Sequence, residues 1–166
     1  MKLIKLSFFL VIITILFSCN GDSPKEKDNI YFSQIIKTNK GIIRGVNLND
    51  KKKQIKKKER KRAIITETNA ILEYEYLLKE KGTYVVTYQF DQQGCYEIDV
   101  DIYLASADFI NEAQKTLDAF FRDKYGIPTQ GDSLLIWKNK EKTMTIELDY
   151  LNKSEGEMML TIFANE

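Results

Sequence analysis

A strict alternation of apolar and polar residues between positions 96 and 104 limits the possible folds most strongly. Ile98, Val100, Ile102 and Leu104 alternate there with Glu97, Asp99, Asp101 and Tyr103. Successive side chains of a strand point to opposite faces of a sheet, so this pattern predicts a strand with one buried and one solvated face. The same period of two recurs in residues 72–78 and 83–90, and turn residues at 81–82 and 91–94 separate the three segments. The sequence therefore predicts an antiparallel three-stranded meander.

Two helices are expected around this meander. N-cap candidates at residues 47–50 precede the segment Lys51 to Arg62, which is predicted to be a helix packed through a narrow stripe around Ile55. The second helix is predicted to begin at Asp108, which can cap it, and to end at Gly126, because Pro128 prevents continuation. Its apolar residues Phe109, Ala113, Leu117, Phe120 and Phe121 recur at helical spacing.

Three further strands are predicted at residues 134–138, 143–151 and 157–164, and the short apolar stretches 30–36 and 41–46 are expected to form an entry strand or turn. The resulting order is αβββαβββ. Two such halves can join edge to edge, which predicts an α+β domain with two layers, an antiparallel sheet and both helices on one face.

The N-terminus has the features of an export signal. Lys2 and Lys5 precede an apolar run from Leu6 to Phe17, which is too short for a transmembrane helix of about 20 residues. The run ends in Leu16-Phe17-Ser18-Cys19, which resembles the lipobox of bacterial lipoproteins. The alternative is an ordinary secretory signal that ends by chance in cysteine.

The lipoprotein resemblance implies a domain organisation and a location. Residues 1–18 would be a cleaved signal peptide, Cys19 would carry a diacylglyceryl group and fatty acyl chains such as palmitate, and 19–29 would be a flexible tether to a single domain at 30–166. By the same resemblance, Asn20 after the cysteine favours the outer membrane, on its periplasmic or its surface side.

The folded part resembles domains of the β-lactamase inhibitory protein family, a fold that also occurs in the small lipoprotein of the β-barrel assembly machine. The resemblance rests on residues 44–48 (RGVNL), 88–91 (YQFD), 124–128 (KYGIP) and Trp137. It implies a protein that binds other proteins or assists envelope assembly. The matching positions are structural, so the resemblance assigns no functional residue.

Several kinds of chemistry are not expected. The chain has no histidine, which excludes histidine-based triads and histidine-ligated metals, and it has no glycine-rich phosphate loop. We therefore expect no cofactor, no metal and no small-molecule substrate. The cysteine that remains beside Cys19 is Cys95, which is expected to be a small strand residue; a reactive thiol would need a basic environment.

The segment 51–62 (KKKQIKKKERKR) has nine basic residues and one acidic residue, Glu59, in a chain whose formal charge is +1. Its basic side chains are Lys51, Lys52, Lys53, Lys56, Lys57, Lys58, Arg60, Lys61 and Arg62. They are candidates for contact with anionic headgroups or with an acidic protein. Nucleic acid is not expected for an exported chain, and a merely solvated helix face is the alternative.

Acidic residues recur on the polar faces of the predicted strands. Glu97, Asp99, Asp101, Glu147 and Asp149 are candidates for a partner-binding face. Strand alternation alone produces the same pattern as the wet face of a one-sided sheet, and catalysis would require a cleft.

These observations together lead to two functional hypotheses. The first is a lipid-anchored, non-enzymatic envelope protein that binds another protein, for example as an accessory subunit of an outer-membrane complex. The second is an envelope inhibitor or immunity protein that blocks a hydrolase or a toxin.

Overall fold

The computed structural model of the protein describes residues 29–59, 63–150 and 152–165. The predicted signal peptide with Cys19, most of the predicted tether, and the basic residues Arg60, Lys61 and Arg62 lie outside the described residues.

Eight antiparallel strands form one sheet, in the order β1-β2-β3-β4-β8-β7-β6-β5. The strands are β1 (Ile64–Glu67), β2 (Ile71–Leu78), β3 (Gly82–Phe90), β4 (Cys95–Leu104), β5 (Thr129–Gln130), β6 (Leu134–Lys138), β7 (Met144–Asp149) and β8 (Glu157–Ala164). The last strand of each half, β4 and β8, pair at the centre, where Val100 lies opposite Leu160. This sheet, together with the helices, confirms the predicted α+β class and antiparallel pairing.

The predicted order αβββαβββ is wrong in one respect, because each half contains a fourth, short strand. β1 and β5 lie at the two edges of the sheet. β1 has four residues and β5 has two, too few for a visible two-residue period. Each pairs with the following strand only once the chain has turned back on itself, so local sequence does not reveal it.

Helix α1 spans Lys52–Lys58 and is shorter than the predicted 51–62. Its N-cap is Lys51, whose backbone N–H donates to the side chain of Gln54 at 2.7 Å, so the cap is not at residues 47–50. The helix ends because the backbone of Glu59 is extended.

Helix α2 spans Ala107–Tyr125, close to its prediction. The N-cap is Ser106, whose hydroxyl accepts from the backbone N–H of Phe109; Asp108, the predicted cap, lies in the first turn. Gly126 follows the helix with φ +85°, a conformation that glycine adopts without strain.

Of the two stretches expected to form an entry strand or turn, 41–46 forms turns with an isolated bridge between Ile43 and Val46, whereas 30–36 is helical. The side-chain oxygen of Asn29 accepts hydrogen bonds from the backbone N–H groups of Tyr31 and Phe32. A π-helical turn follows at Phe32–Ile36. Phe32 packs edge-on against Phe120 of α2, with ring centroids 6.1 Å apart. This contact with α2 is tertiary and is not visible in the alternation of a short apolar stretch.

The core lies on one face of the sheet. Buried side chains on that face include Tyr74, Val86, Val100 and Leu160, and Phe121 of α2 contacts Trp137 there with centroids 5.4 Å apart. The other face has no helix packed on it among the described residues. No described helix combines the length and apolar character needed to cross a bilayer.

Candidate functional site

The uncovered sheet face, called the open face below, carries charge of almost one sign. Alternation and register place on it Glu73, Glu75, Glu97, Asp99, Asp101, Glu147, Asp149 and Glu157, and one basic residue, Lys138. The five carboxylates predicted for a partner-binding face are all among them. Eight carboxylates against one lysine make the open face strongly negative at neutral pH.

Seven of the eight carboxylates of the open face lie in two groups on either side of β8, and Glu157 lies on β8 itself. Asp99 of β4 lies opposite Thr161 of β8, which lies opposite Glu147 of β7. The next row has Asp101, Met159 and Asp149 in the same places. Because neighbouring strands are about 4.8 Å apart, the β4 and β7 groups are separated by about 10 Å. The sequence predicted these residues and the strand at 157–164, but not the position of that strand between the two groups.

The β4 group is held by hydrogen bonds from neutral side chains. The side-chain amide of Gln89 on β3 donates to Glu97 and, at 3.1 Å, to Asp99, while the Tyr96 hydroxyl donates to the side-chain oxygen of Gln89 at 2.9 Å. Within the described part of the chain, no lysine or arginine lies within ion-pair distance of Glu97, Asp99 or Asp101.

Two of these carboxyl groups, Glu97 and Asp101, have raised pKa values. Partial burial raises the pKa of Glu97, and the neighbouring charge of Asp99 raises it further. Burial also raises the pKa of Asp101, with added repulsion from Asp99 and Glu73. Each group would be stabilised by a cation brought from outside.

Exposed apolar side chains lie among the carboxylates at one end of the open face. Tyr103 is 46% exposed, Met159 45% and Leu77 78%. A hollow of about 220 Å³ lies beside Met159 and is lined by Asp101, Tyr103, Asp149, Asn152 and Glu157. Apolar and aromatic groups within a polar rim are typical of protein interfaces.

Most described lysines of the basic segment bind within the domain. Lys51 donates to the Gln93 carbonyl at 2.6 Å, and Lys52 donates to the Asn69 carbonyl at 3.0 Å. Lys52 also lies 4.9 Å from the centre of the Phe90 ring.

Two further lysines of this segment form ion pairs, Lys56 with Glu67 and Lys58 with Asp50, each at 2.7 Å. Lys53 and Lys57 are exposed and make no hydrogen bond or ion pair within the described residues. Of the six described basic residues in the segment, these two are the ones available for an outside partner.

The sequence did not predict a buried polar cluster, formed by Lys37, Arg44, Glu59, Tyr76, Tyr84 and Tyr88 and called the polar cluster below. Arg44 makes a two-point ion pair with Glu59, with Nε–Oε1 at 2.6 Å and a second guanidinium N–Oε2 at 2.8 Å. Both side chains are almost completely buried. Tyr76 donates to Glu59 at 2.7 Å and Tyr88 at 2.5 Å.

The partners of Glu59 outweigh its burial. Burial raises the pKa of this carboxyl, but the hydrogen bonds and charge of Arg44, with help from Tyr88 and Lys37, lower it to about 2. The polar cluster closes the end of α1 onto the sheet. The one signal in the sequence was that Glu59 is the single acidic residue in the basic segment. A helix face that only contacts solvent gives no reason for such a residue.

Other polar groups in the core give no sign of reactivity. Burial raises the pKa of Cys95 to about 12, as expected of a structural strand residue. Burial also raises the pKa of Tyr74 to about 12, and its hydroxyl has no hydrogen-bond partner among the described residues. The described residues contain no group of three side chains placed to hold a metal ion.

Comparison with protein-family models, curated proteins and solved structures found no match to this chain. The assignment of a function therefore rests on the geometry of the open face and on the sequence.

Proposed function

We propose that this protein is a lipid-anchored, non-enzymatic protein of the cell envelope whose domain binds another protein through the open face. The partner would present lysine or arginine side chains around an apolar centre. The observation that carries this proposal is the open face itself, with eight carboxylates, one lysine and exposed Tyr103 and Met159. Charge complementarity of this kind steers association and selects the partner.

The anchor in this proposal is Cys19, and the location is the outer membrane. Support comes from the segment Leu16-Phe17-Ser18-Cys19, from the polar residues that follow it, and from Asn20. Acylation at this cysteine predicts that fatty acid labels the protein in cells and that Cys19→Ser abolishes the label. Labelling of the serine variant would contradict the anchor.

The proposal includes a two-layer arrangement like that of the β-lactamase inhibitory protein family. Pairing of β4 with β8 between two halves supports it, as does the packing of Phe121 on Trp137. In such an arrangement the sheet keeps one face available for a partner.

An inhibitor or immunity protein is the second candidate. The hollow beside Met159 favours it, because Asp101, Glu157 and the Tyr103 ring could surround one basic side chain of a target enzyme. A stable, soluble one-to-one complex with a hydrolase or toxin would support this form of the function. A partner that is a subunit of an outer-membrane complex would support the first.

The proposal can be tested by photo-cross-linking in intact cells. A photoreactive amino acid replaces Met159 on the open face or, as a control, Ala119 on the exposed side of α2. We expect the probe at residue 159 to give a defined adduct with a basic protein, and the probe at residue 119 to give none.

Charge variants test whether the adduct depends on the carboxylates. We expect Asp99→Asn with Asp101→Asn to reduce the adduct at residue 159 at least tenfold, which corresponds to about 1.4 kcal/mol of binding free energy. The matched control, Asp123→Asn with Asp132→Asn, removes two exposed carboxylates elsewhere and should leave the yield unchanged. Equal loss in both pairs, or no adduct at residue 159, would contradict the proposal.

A further inference from the structure

We infer that the outward side of α1 docks on anionic lipid headgroups, so that the bilayer lies against the basic segment and the open face points away from it. This inference rests on the proposed lipid anchor, and it adds which side of the domain meets the membrane. The occupant is the surface of an anionic bilayer.

The first argument is the separation of charge across the domain. The open face has eight carboxylates and one lysine, whereas the described part of the basic segment, residues 51–59, has six lysines and one acid. That one acid, Glu59, is buried against Arg44 and contributes nothing to the outer surface. An anionic bilayer attracts the basic side and repels the open face, so both charges favour the same orientation.

The second argument is the direction of the two available lysines. Ile55 is fully buried in the core, and Lys53 and Lys57 lie two residues before and after it on α1. Two residues correspond to about 200° around a helix, so both lysines point away from the core. They are four residues apart and therefore lie on the same side of the helix.

The repulsion between the lysines of α1 also favours binding to an anionic surface. Like charges at a spacing of four residues destabilise a helix, and α1 has only seven residues. Asp50 and Glu67 are already paired with Lys58 and Lys56, and Glu59 at the end of the helix is buried against Arg44. Lys53 and Lys57 keep no counter-charge within the described residues, which is the state that an anionic surface would relieve.

The third argument is the position at which the N-terminal chain enters the domain. Asn29 donates to the hydroxyl of Thr116 on α2 at 3.0 Å, so the chain enters on the helix side and not on the open face. Asn29 is ten positions after Cys19. Such a segment spans at most about 35 Å, which keeps the domain close to the bilayer.

The test measures which lysines the bilayer protects. The intact acylated protein is incorporated into vesicles of pure phosphatidylcholine or of phosphatidylcholine with phosphatidylglycerol, and amine acetylation is mapped by mass spectrometry. A lysine near an anionic surface contributes about 1 kcal/mol, which equals about a fivefold change in occupancy. We therefore expect acetylation of Lys53 and Lys57 to fall about fivefold on the anionic vesicles.

Internal and variant controls sharpen the measurement. Lys140 and Lys142 lie in the turn between β6 and β7, away from α1, and should be acetylated equally on both vesicles. Lys53→Gln should reduce the protection of Lys57, whereas Lys140→Gln should leave it unchanged. Protection should disappear in about 1 M NaCl, where the Debye length is about 3 Å.

The outcomes separate this inference from the proposed anchor. Equal acetylation of Lys53 and Lys57 on neutral and anionic vesicles overturns the docking, even if the protein floats with both. Failure to float with neutral vesicles overturns the anchor, and protection on anionic vesicles would then still support the docking. Equal protection by free glycerol phosphate without vesicles would overturn the assignment to a membrane.

Discussion

The polar cluster and the open face both hold carboxyl groups that are wholly or partly buried, but the pKa of Glu59 in the polar cluster is lowered, whereas the pKa values of Glu97 and Asp101 on the open face are raised. Glu59 is the more deeply buried, yet its pKa falls to about 2 because Arg44 and two tyrosines surround it. Glu97 and Asp101 are less buried, and burial together with Asp99 raises their pKa values. A neighbouring positive side chain, more than the degree of burial, therefore decides whether the pKa of a carboxyl group falls or rises. Among the described residues, Glu97 and Asp101 thus lack the neighbouring positive charge that Glu59 has.

The largest expected effect comes from Arg44→Met, which removes the buried cation that makes a two-point ion pair with Glu59 and leaves the partly exposed Lys37, at 3.2 Å, beside it. Breaking one side of a buried ion pair costs about 3–5 kcal/mol, so we expect a loss of this size in the free energy of unfolding, measured by urea denaturation. Lys56→Gln breaks the exposed pair with Glu67 and should cost at most about 1 kcal/mol. Equal losses in the two variants would break the comparison.

Acid should act on the two regions with opposite sign. The pKa of Glu59 is about 2 in the folded protein, against an ordinary value of 4.5, so its contribution is complete above pH 4.5 and is lost as the pH falls towards 2. That contribution is about 3 kcal/mol.

The open face should respond in the other direction. The raised pKa values of Glu97 and Asp101 mean that their contribution to stability is lost as the pH rises through those values. As the pH is lowered from neutral, the urea midpoint of unfolding should therefore first rise and then fall below pH 4.5. A fall that begins near neutral pH would contradict this balance.

A smaller effect is expected for Tyr88→Phe, which removes one hydrogen bond to Glu59. A hydrogen bond to a charged group contributes about 1.5–3 kcal/mol, so the free energy of unfolding should drop by that amount. Tyr103→Phe, on the exposed open face, provides the matched control and should change it by less than about 0.5 kcal/mol. A larger loss for Tyr103→Phe than for Tyr88→Phe would contradict the stabilising role given to the hydroxyl in the polar cluster.

The smallest expected effect has the opposite sign. Asp99→Asn removes the charge that raises the pKa of both Glu97 and Asp101. The free energy of unfolding at neutral pH should increase by a few tenths of a kcal/mol, and by no more than about 1 kcal/mol. Destabilisation would indicate that the bond from Gln89 to Asp99 matters more than the repulsion.

The alternation of strand residues predicted most of the sheet, because one face is buried along every long strand. β6 and β8 have the predicted bounds, and β4 differs by one residue at its start. β1 and β5 escaped prediction because their existence depends on pairing at the sheet edges. The residues of the open face were predicted for the same reason as the strands.

The polar cluster could not be predicted, because its parts are brought together only by the fold. Arg44 and Glu59 are 15 positions apart, and both lie outside regular elements. Their contact also explains the early end of α1, since Glu59 leaves the helix to reach Arg44. Local charge patterns assign Glu59 to a solvated basic helix and miss its burial.

The central claim is that Glu97, Asp99 and Asp101 of the open face have no ion pair among the described residues and are kept, at a cost in stability, for a basic partner. One measurement tests it most directly: the free energy of unfolding and the photo-cross-link yield at residue 159, both determined for Asp99→Asn with Asp101→Asn. We predict that the variant is at least as stable as the original protein and loses its cross-link at least tenfold, about 1.4 kcal/mol of binding. A stable variant that keeps its full cross-link would contradict the account.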